Sequence, residues 1–88
     1  MSYHLFVHSS CQNTIKKAVH KNPALQKALE KKIAEIQKNP HRFKPLRGNM
    51  SGIRRVHILK SFVLCYKVDD TQEQIILLIF SHHDNVYG

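Results

Sequence analysis

IRRVHILKSFVLCYKVDDTQEQIILLIF, residues 53–80, is the stretch that decides the fold. In an extended chain Ile53, Arg55 and His57 share one face, while Arg54, Val56 and Ile58 share the other. Lys60-Ser61 is a tight connection, and Phe62 to Val68 reads as the next strand. Asp69 to Gln74 is a polar hairpin loop. Ile75 to Phe80 is apolar at every position, which marks the central strand of a sheet. With connections this short, the three strands run antiparallel.

The chain before them is helical. Tyr3 to His8 (YHLFVH) reads as a first strand, and Ser9 and Ser10 offer N-caps for a helix to about Lys21. Asn22-Pro23 is a break in which Asn22 caps a second helix and Pro23 takes its first position. Leu25, Leu29, Ile33 and Ile36 form one apolar stripe, with Lys27, Lys31, Lys32 and Lys38 mostly off it as a solvated face. Asn39-Pro40 ends the helix. His41 to Gly48 has no helical period, and Asn49 to Gly52 is rich in turn residues. The order β-α-α-β-β-β predicts an α+β two-layer domain: two helices packed on one face of a twisted antiparallel sheet, the other face left for function. With no internal repeat, residues 1–88 read as a single domain.

Composition narrows the class. Eighty-eight residues, 42% of them hydrophobic, build one modest core. Cys11 and Cys65 make neither a disulfide framework, a CxxC pair nor a four-ligand zinc site, and a reducing cytoplasm is the expected location. The longest apolar run has six residues against the roughly 20 of a membrane helix, and no basic-then-apolar leader opens the chain. Charge says more. Fourteen Lys and Arg face six Asp and Glu, for a net +8. Residues 1–68 hold all fourteen basic residues with only Glu30 and Glu35, whereas residues 69–88 hold four acidic residues and no Lys or Arg. Such a basic body implies a polyanionic partner, with nucleic acid ahead of a membrane surface.

The sequence holds no glycine-rich phosphate loop, no serine-nucleophile motif and no acidic cluster for a two-metal site, so neither metal nor other cofactor is expected. The concentrated resource is imidazole plus cation: Lys44, Arg47, Arg55 and His57, then His82, His83 and Tyr87. RNA is cleaved without metal when its 2′-hydroxyl attacks the adjacent phosphate. A base at the 2′-oxygen, an acid at the leaving oxygen and a cation on the phosphate oxygens then suffice. Histidine fills either proton-transfer role and Lys or Arg the electrostatic one. An aromatic such as Tyr87 can stack on a base, or can plug the edge of the core. His57 beside Arg55 reads equally as an ordinary polar residue of a sheet face, and Cys65 reads as core. His82 and His83 are adjacent and point to opposite faces of an extended chain, which makes them poor joint ligands for one metal.

Lys44-Pro-Leu-Arg-Gly48, then Gly52-Ile-Arg-Arg-Val-His57, then Phe62-Val-Leu-Cys-Tyr-Lys67, and finally Ser81-His-His-Asp-Asn-Val-Tyr-Gly88 together resemble the RelE/ParE toxin superfamily, most of all its YafQ-like branch of messenger-RNA interferases. The resemblance covers essentially the whole chain. It implies the RelE-like fold and a type II toxin that cuts messenger RNA in the ribosomal A site without metal. It also implies an antitoxin encoded by an adjacent gene as partner. By the same resemblance His57 and His83 are the catalytic histidines, Tyr87 is the closing aromatic, and Lys44 stands where the branch has a further histidine. Phe62 corresponds to the aromatic that opens the next strand. Arg55 joins the catalytic set, with Arg47, Arg54, Lys60 and Phe62 as RNA contacts. Ser61 replaces a functional aspartate of the branch, and Val63 replaces an active-site arginine of many RelE relatives. The alternatives are a ParE-like, non-catalytic gyrase inhibitor and a degenerate member that only binds RNA.

Overall fold

Helix starts and strand ends meet within one residue in this chain. In the computed structural model, which describes residues 3–43, 45 and 52–82, β1 (His4–Val7) runs directly into α1 (Ser9–Val19). The N-cap is His8, one residue ahead of the expected serines. Its backbone amide still bonds Leu77 of the sheet at 2.9 Å, and its carbonyl already accepts from Gln12 at 2.9 Å. Its ring Nδ1 accepts from the Ser10 amide at 3.4 Å. The chain thus turns from strand to helix at His8. Helix α2 (Pro23–Lys38) begins as expected, with the Leu25 amide donating to Asn22 Oδ1 at 3.1 Å and proline in the first turn. Leu25, Leu29 and Ile36 of its stripe are buried and Ile33 is half-buried.

Strands β2 (Ile53–Ile58), β3 (Phe62–Asp69) and β4 (Gln74–His82) complete a sheet of order β1-β4-β3-β2. The three later strands are antiparallel as expected, but β1 pairs with β4 in parallel, from His4–Gln74 to Val7–Leu77. The sheet is therefore mixed. The cause is the helical layer. Tyr3 and Gln37 exchange two bonds, amide to carbonyl at 3.1 Å and side-chain amide to carbonyl at 2.9 Å. They set the C-terminal end of α2 beside the start of β1, so the chain re-enters the sheet at the end where it began. Gly52, at φ 90°, supplies the left-handed backbone just before β2.

One core joins the layers. Cys11, Leu25, Leu29 and Ile36 of the helices pack against Val56, Ile58, Leu64, Tyr66, Ile75, Leu77 and Phe80 of the sheet. Strand β3 is buried at four consecutive positions, Val63 to Tyr66, as an interior strand should be. In β4 a bulge re-phases the side chains: Cys65 pairs with Ile79 but Tyr66 pairs with Leu77, leaving Leu78 as the extra residue. Ile75 and Leu77 before it, and Phe80 after it, reach the core, while Ile79 stays 49% exposed. Among the described residues no helix is long and apolar enough to cross a membrane.

Candidate functional site

Burial of Val56 and Ile58 beneath the helices turns Arg55 and His57 to the opposite face of β2. His57 is exposed and Arg55 is half-buried. Register extends their rows across the sheet: Arg55 lies beside Cys65 and then Ile79, and His57 beside Val63 and then Ser81. Burial raises the pKa of the Cys65 thiol, and the neighbouring Arg55 guanidinium partly offsets that rise. Val63, at the position where the resemblance expects arginine, is a fully buried apolar residue in the His57 row. Residues two apart on a strand lie roughly 7 Å apart. A guanidinium and an imidazole so placed can address one phosphodiester together.

The turn after His57 is built without glycine. Leu59 at φ 59° and Lys60 at φ 91° both take left-handed backbone, and both side chains are exposed. Lys60 thus projects from the end of β2 that carries His57. The structure does not bring Phe62 and Arg54 to the face of Arg55 and His57. Phe62, half-buried and in register with Ile58, stacks on Phe80 at 5.3 Å between ring centroids and 4° between planes, and meets the edge of His82 at 5.4 Å. Arg54 pairs with Tyr66 on the helix-facing side. Lys44, Arg47, His83 and Tyr87 lie outside the described residues.

A polar cluster at the other end of β2 has no signature in the sequence. Arg54 donates through Nη1 to the carbonyls of His41, at 3.3 Å, and Phe43, while its Nη2 lies 3.1 Å from His41 Nδ1. His41 Nε2 is 2.7 Å from Asp70 Oδ1, and the Tyr3 hydroxyl donates to the same oxygen at 2.7 Å. The Tyr3 bond, then the His41 bond, hold the Asp70 carboxyl below its ordinary value. A carboxylate beside an imidazole is the usual orienter of a general base. Here both ring nitrogens are occupied, and His41 serves structure.

Two helices on one face of a four-stranded sheet, with imidazole and cation on the face turned away from them, define the class of small RelE-like toxins. Comparison with known proteins agrees. The RelBE2 toxin–antitoxin complex of Mycobacterium tuberculosis contains a chain of the same fold, at TM-score 0.77 and 20% identity over 94% of this chain and 100% of that one. YafQ of Escherichia coli superposes at TM-score 0.71 and 15% identity, over 98% of this chain and 99% of that one. A relative named as toxin RelE4 of Methanocaldococcus jannaschii is 39% identical over 85 residues, which are 97% of this chain and 90% of the relative. Residues 6–88 match the family described as ParE-like toxin of type II bacterial toxin–antitoxin systems. The chain belongs to that family, within the RelE/ParE superfamily.

Proposed function

We propose that the chain acts as a single cytoplasmic domain that cleaves messenger RNA in the ribosomal A site, with the RNA's own 2′-hydroxyl as nucleophile. The observation that carries this reading is the placement of His57 and Arg55 together on the sheet face turned away from the helices, with His57 exposed. In this mechanism His57 and His83 move the two protons. Arg55 and Lys44 neutralise the phosphate, and Tyr87 stacks on a base. Arg47 and Lys60 add phosphate contacts around this centre. Phe62 and Arg54 act from the helix-facing side. No metal takes part in the reaction as proposed. The complex formed by the Mycobacterium tuberculosis relative supports an antitoxin partner, encoded next to this gene, that keeps the basic surface off RNA.

A second reading follows from the family matched. A ParE-like toxin can instead inhibit DNA gyrase without catalysis, and an inhibitor has no need of an imidazole beside an arginine on this face. Primer-extension mapping of translated messages after induced expression, run beside a plasmid-topology assay, separates the two. Discrete cuts are expected, with plasmid supercoiling unchanged. His57→Ala and His83→Ala should each lower cutting by roughly 10²-fold, the share that general acid–base catalysis supplies, while leaving the fold intact. Wild-type toxicity in the double variant would sink the assignment, and altered supercoiling would establish the gyrase reading.

A further inference from the structure

Both sequence neighbours of Lys44 are held by one residue. The Phe43 carbonyl, whose peptide group leads into Lys44, accepts from Arg54 Nη1. On the other side Pro45 forms an isolated antiparallel bridge with Arg54. The same Nη1 also donates to the His41 carbonyl at 3.3 Å, and Nη2 lies 3.1 Å from His41 Nδ1. A guanidinium only donates, so His41 Nδ1 accepts and the ring proton sits on Nε2, which donates to Asp70 Oδ1 at 2.7 Å. The same carboxylate oxygen accepts from the Tyr3 hydroxyl, which roots the chain of bonds at the residue just ahead of β1. His41 thus bridges the two groups, presenting Nε2 to the Asp70 carboxylate and Nδ1 to Arg54.

We infer that Arg54 is a positioning residue for Lys44: through Phe43, Pro45 and the His41–Asp70–Tyr3 relay it fixes to β2 the chain on both sides of that lysine. The inference rests on the proposed phosphate role of Lys44, and it changes Arg54 from an RNA contact into an anchor. Adjacent residues of one strand then divide the work, Arg55 on the face away from the helices toward phosphate and Arg54 on the helix-facing side toward the loop. Only a planar fork of donors reaches two carbonyls and an imidazole at once. A lysine has the same charge but not that geometry.

The test uses the full chain with Arg54→Lys, Arg54→Ala, Lys44→Ala and the Arg54→Lys/Lys44→Ala pair. Arg54→Lys should slow cleavage by about tenfold or more, the scale of effect that follows from displacing a catalytic group. The same change should cost little further in the Lys44→Ala background, because a residue that acts through another is non-additive with it. The slope of log affinity for single-stranded RNA against log salt should be unchanged in both Arg54 variants, because an anchor neutralises no phosphate. Full activity in Arg54→Lys together with a slope reduced in Arg54→Ala would make Arg54 a plain phosphate ligand. Additive losses would make it a general structural residue. Either overturns the inference. Hydrogen exchange of residues 42–47 needs no activity. If the wild type cuts no RNA the nuclease reading fails, while faster exchange in Arg54→Lys still supports the anchor and unchanged exchange overturns it.

Discussion

Asp70 shows how one carboxylate oxygen ties distant parts of the chain. The hydrogen bond from Tyr3 raises the phenol's pKa above its ordinary 10.0 and lowers the carboxyl's below its ordinary 3.8, two consistent directions for one bond that favours neutral phenol and charged carboxylate. These directions fix the sign for stability. Asp70 has a lower pKa folded than unfolded, so its contribution is present above the unfolded value and lost as pH falls through the folded one. Tyr3 has a higher pKa folded, so its contribution is present at neutral pH and lost as pH rises through the folded value. Asp70→Asn keeps an acceptor oxygen for both partners but cannot ionise. Its thermal midpoint should match the wild type closely near neutral pH and fall less steeply on acidification below the ordinary carboxylate range. Superimposable acid limbs in the two proteins would remove Asp70 from this role. The two cysteines are quiet by comparison. Burial pushes the Cys11 thiol up to about 11, with a smaller push from Cys65, so neither buried sulfur offers a thiolate at neutral pH.

At the scale of elements, the β2–β3 turn carries strain that its sequence does not announce. Leu59 and Lys60 hold φ values of 59° and 91°, a region that costs an L-residue roughly 1–2 kcal/mol and that glycine enters freely. Lys60→Gly should therefore stabilise the fold, by roughly 0.5–1 kcal/mol after glycine's extra unfolded-state entropy, read as a higher urea midpoint at unchanged slope. The same variant should bind RNA more weakly, because it removes the cation at the His57 end of β2. A lower midpoint would mean that the Lys60 side chain contributes more than its backbone costs. Most elements were legible because their signals are local. Asn22-Pro23 caps α2 with its own atoms, and the alternation of β2 needs only six residues. What was not legible depends on partners elsewhere. Six apolar residues in a row conceal the bulge at Leu78, since an unbroken run shows no change of phase. The four residues of β1 hold nothing that tells a parallel neighbour from an antiparallel one; that was set by the bonds of Tyr3 to Gln37.

Across the whole molecule the same division holds between what β2 alone reveals and what the fold assembles. The pairing of Arg55 with His57 on one face follows from strand alternation, whereas the commitment of Arg54 depends on His41, Phe43 and Asp70, through bonds that span eleven to twenty-nine residues of sequence. Charge behaves differently again, because composition counts cations without saying which surface they occupy. Lys16, Lys17, Lys27 and Lys31 are exposed on the helices, where Glu30 and Glu35 are the only acidic residues of α1 and α2. Arg55, His57 and Lys67 lie on the sheet face turned away from them. A net +8 attracts RNA to every side at long range, but only cations in contact with phosphate release counterions on binding. Affinity for single-stranded RNA should fall linearly with salt on logarithmic axes, with a slope near 0.7 per phosphate neutralised. Arg55→Ala should reduce that slope by about 0.7, the share of a single neutralised phosphate, and slow cleavage as well. Lys27→Ala, on the helical side, should lower affinity slightly at low salt and leave the slope and the cleavage rate unchanged. Slopes that drop equally in both variants, or only in Lys27→Ala, would place RNA on the helices and remove the Arg55–His57 face of the sheet from the mechanism.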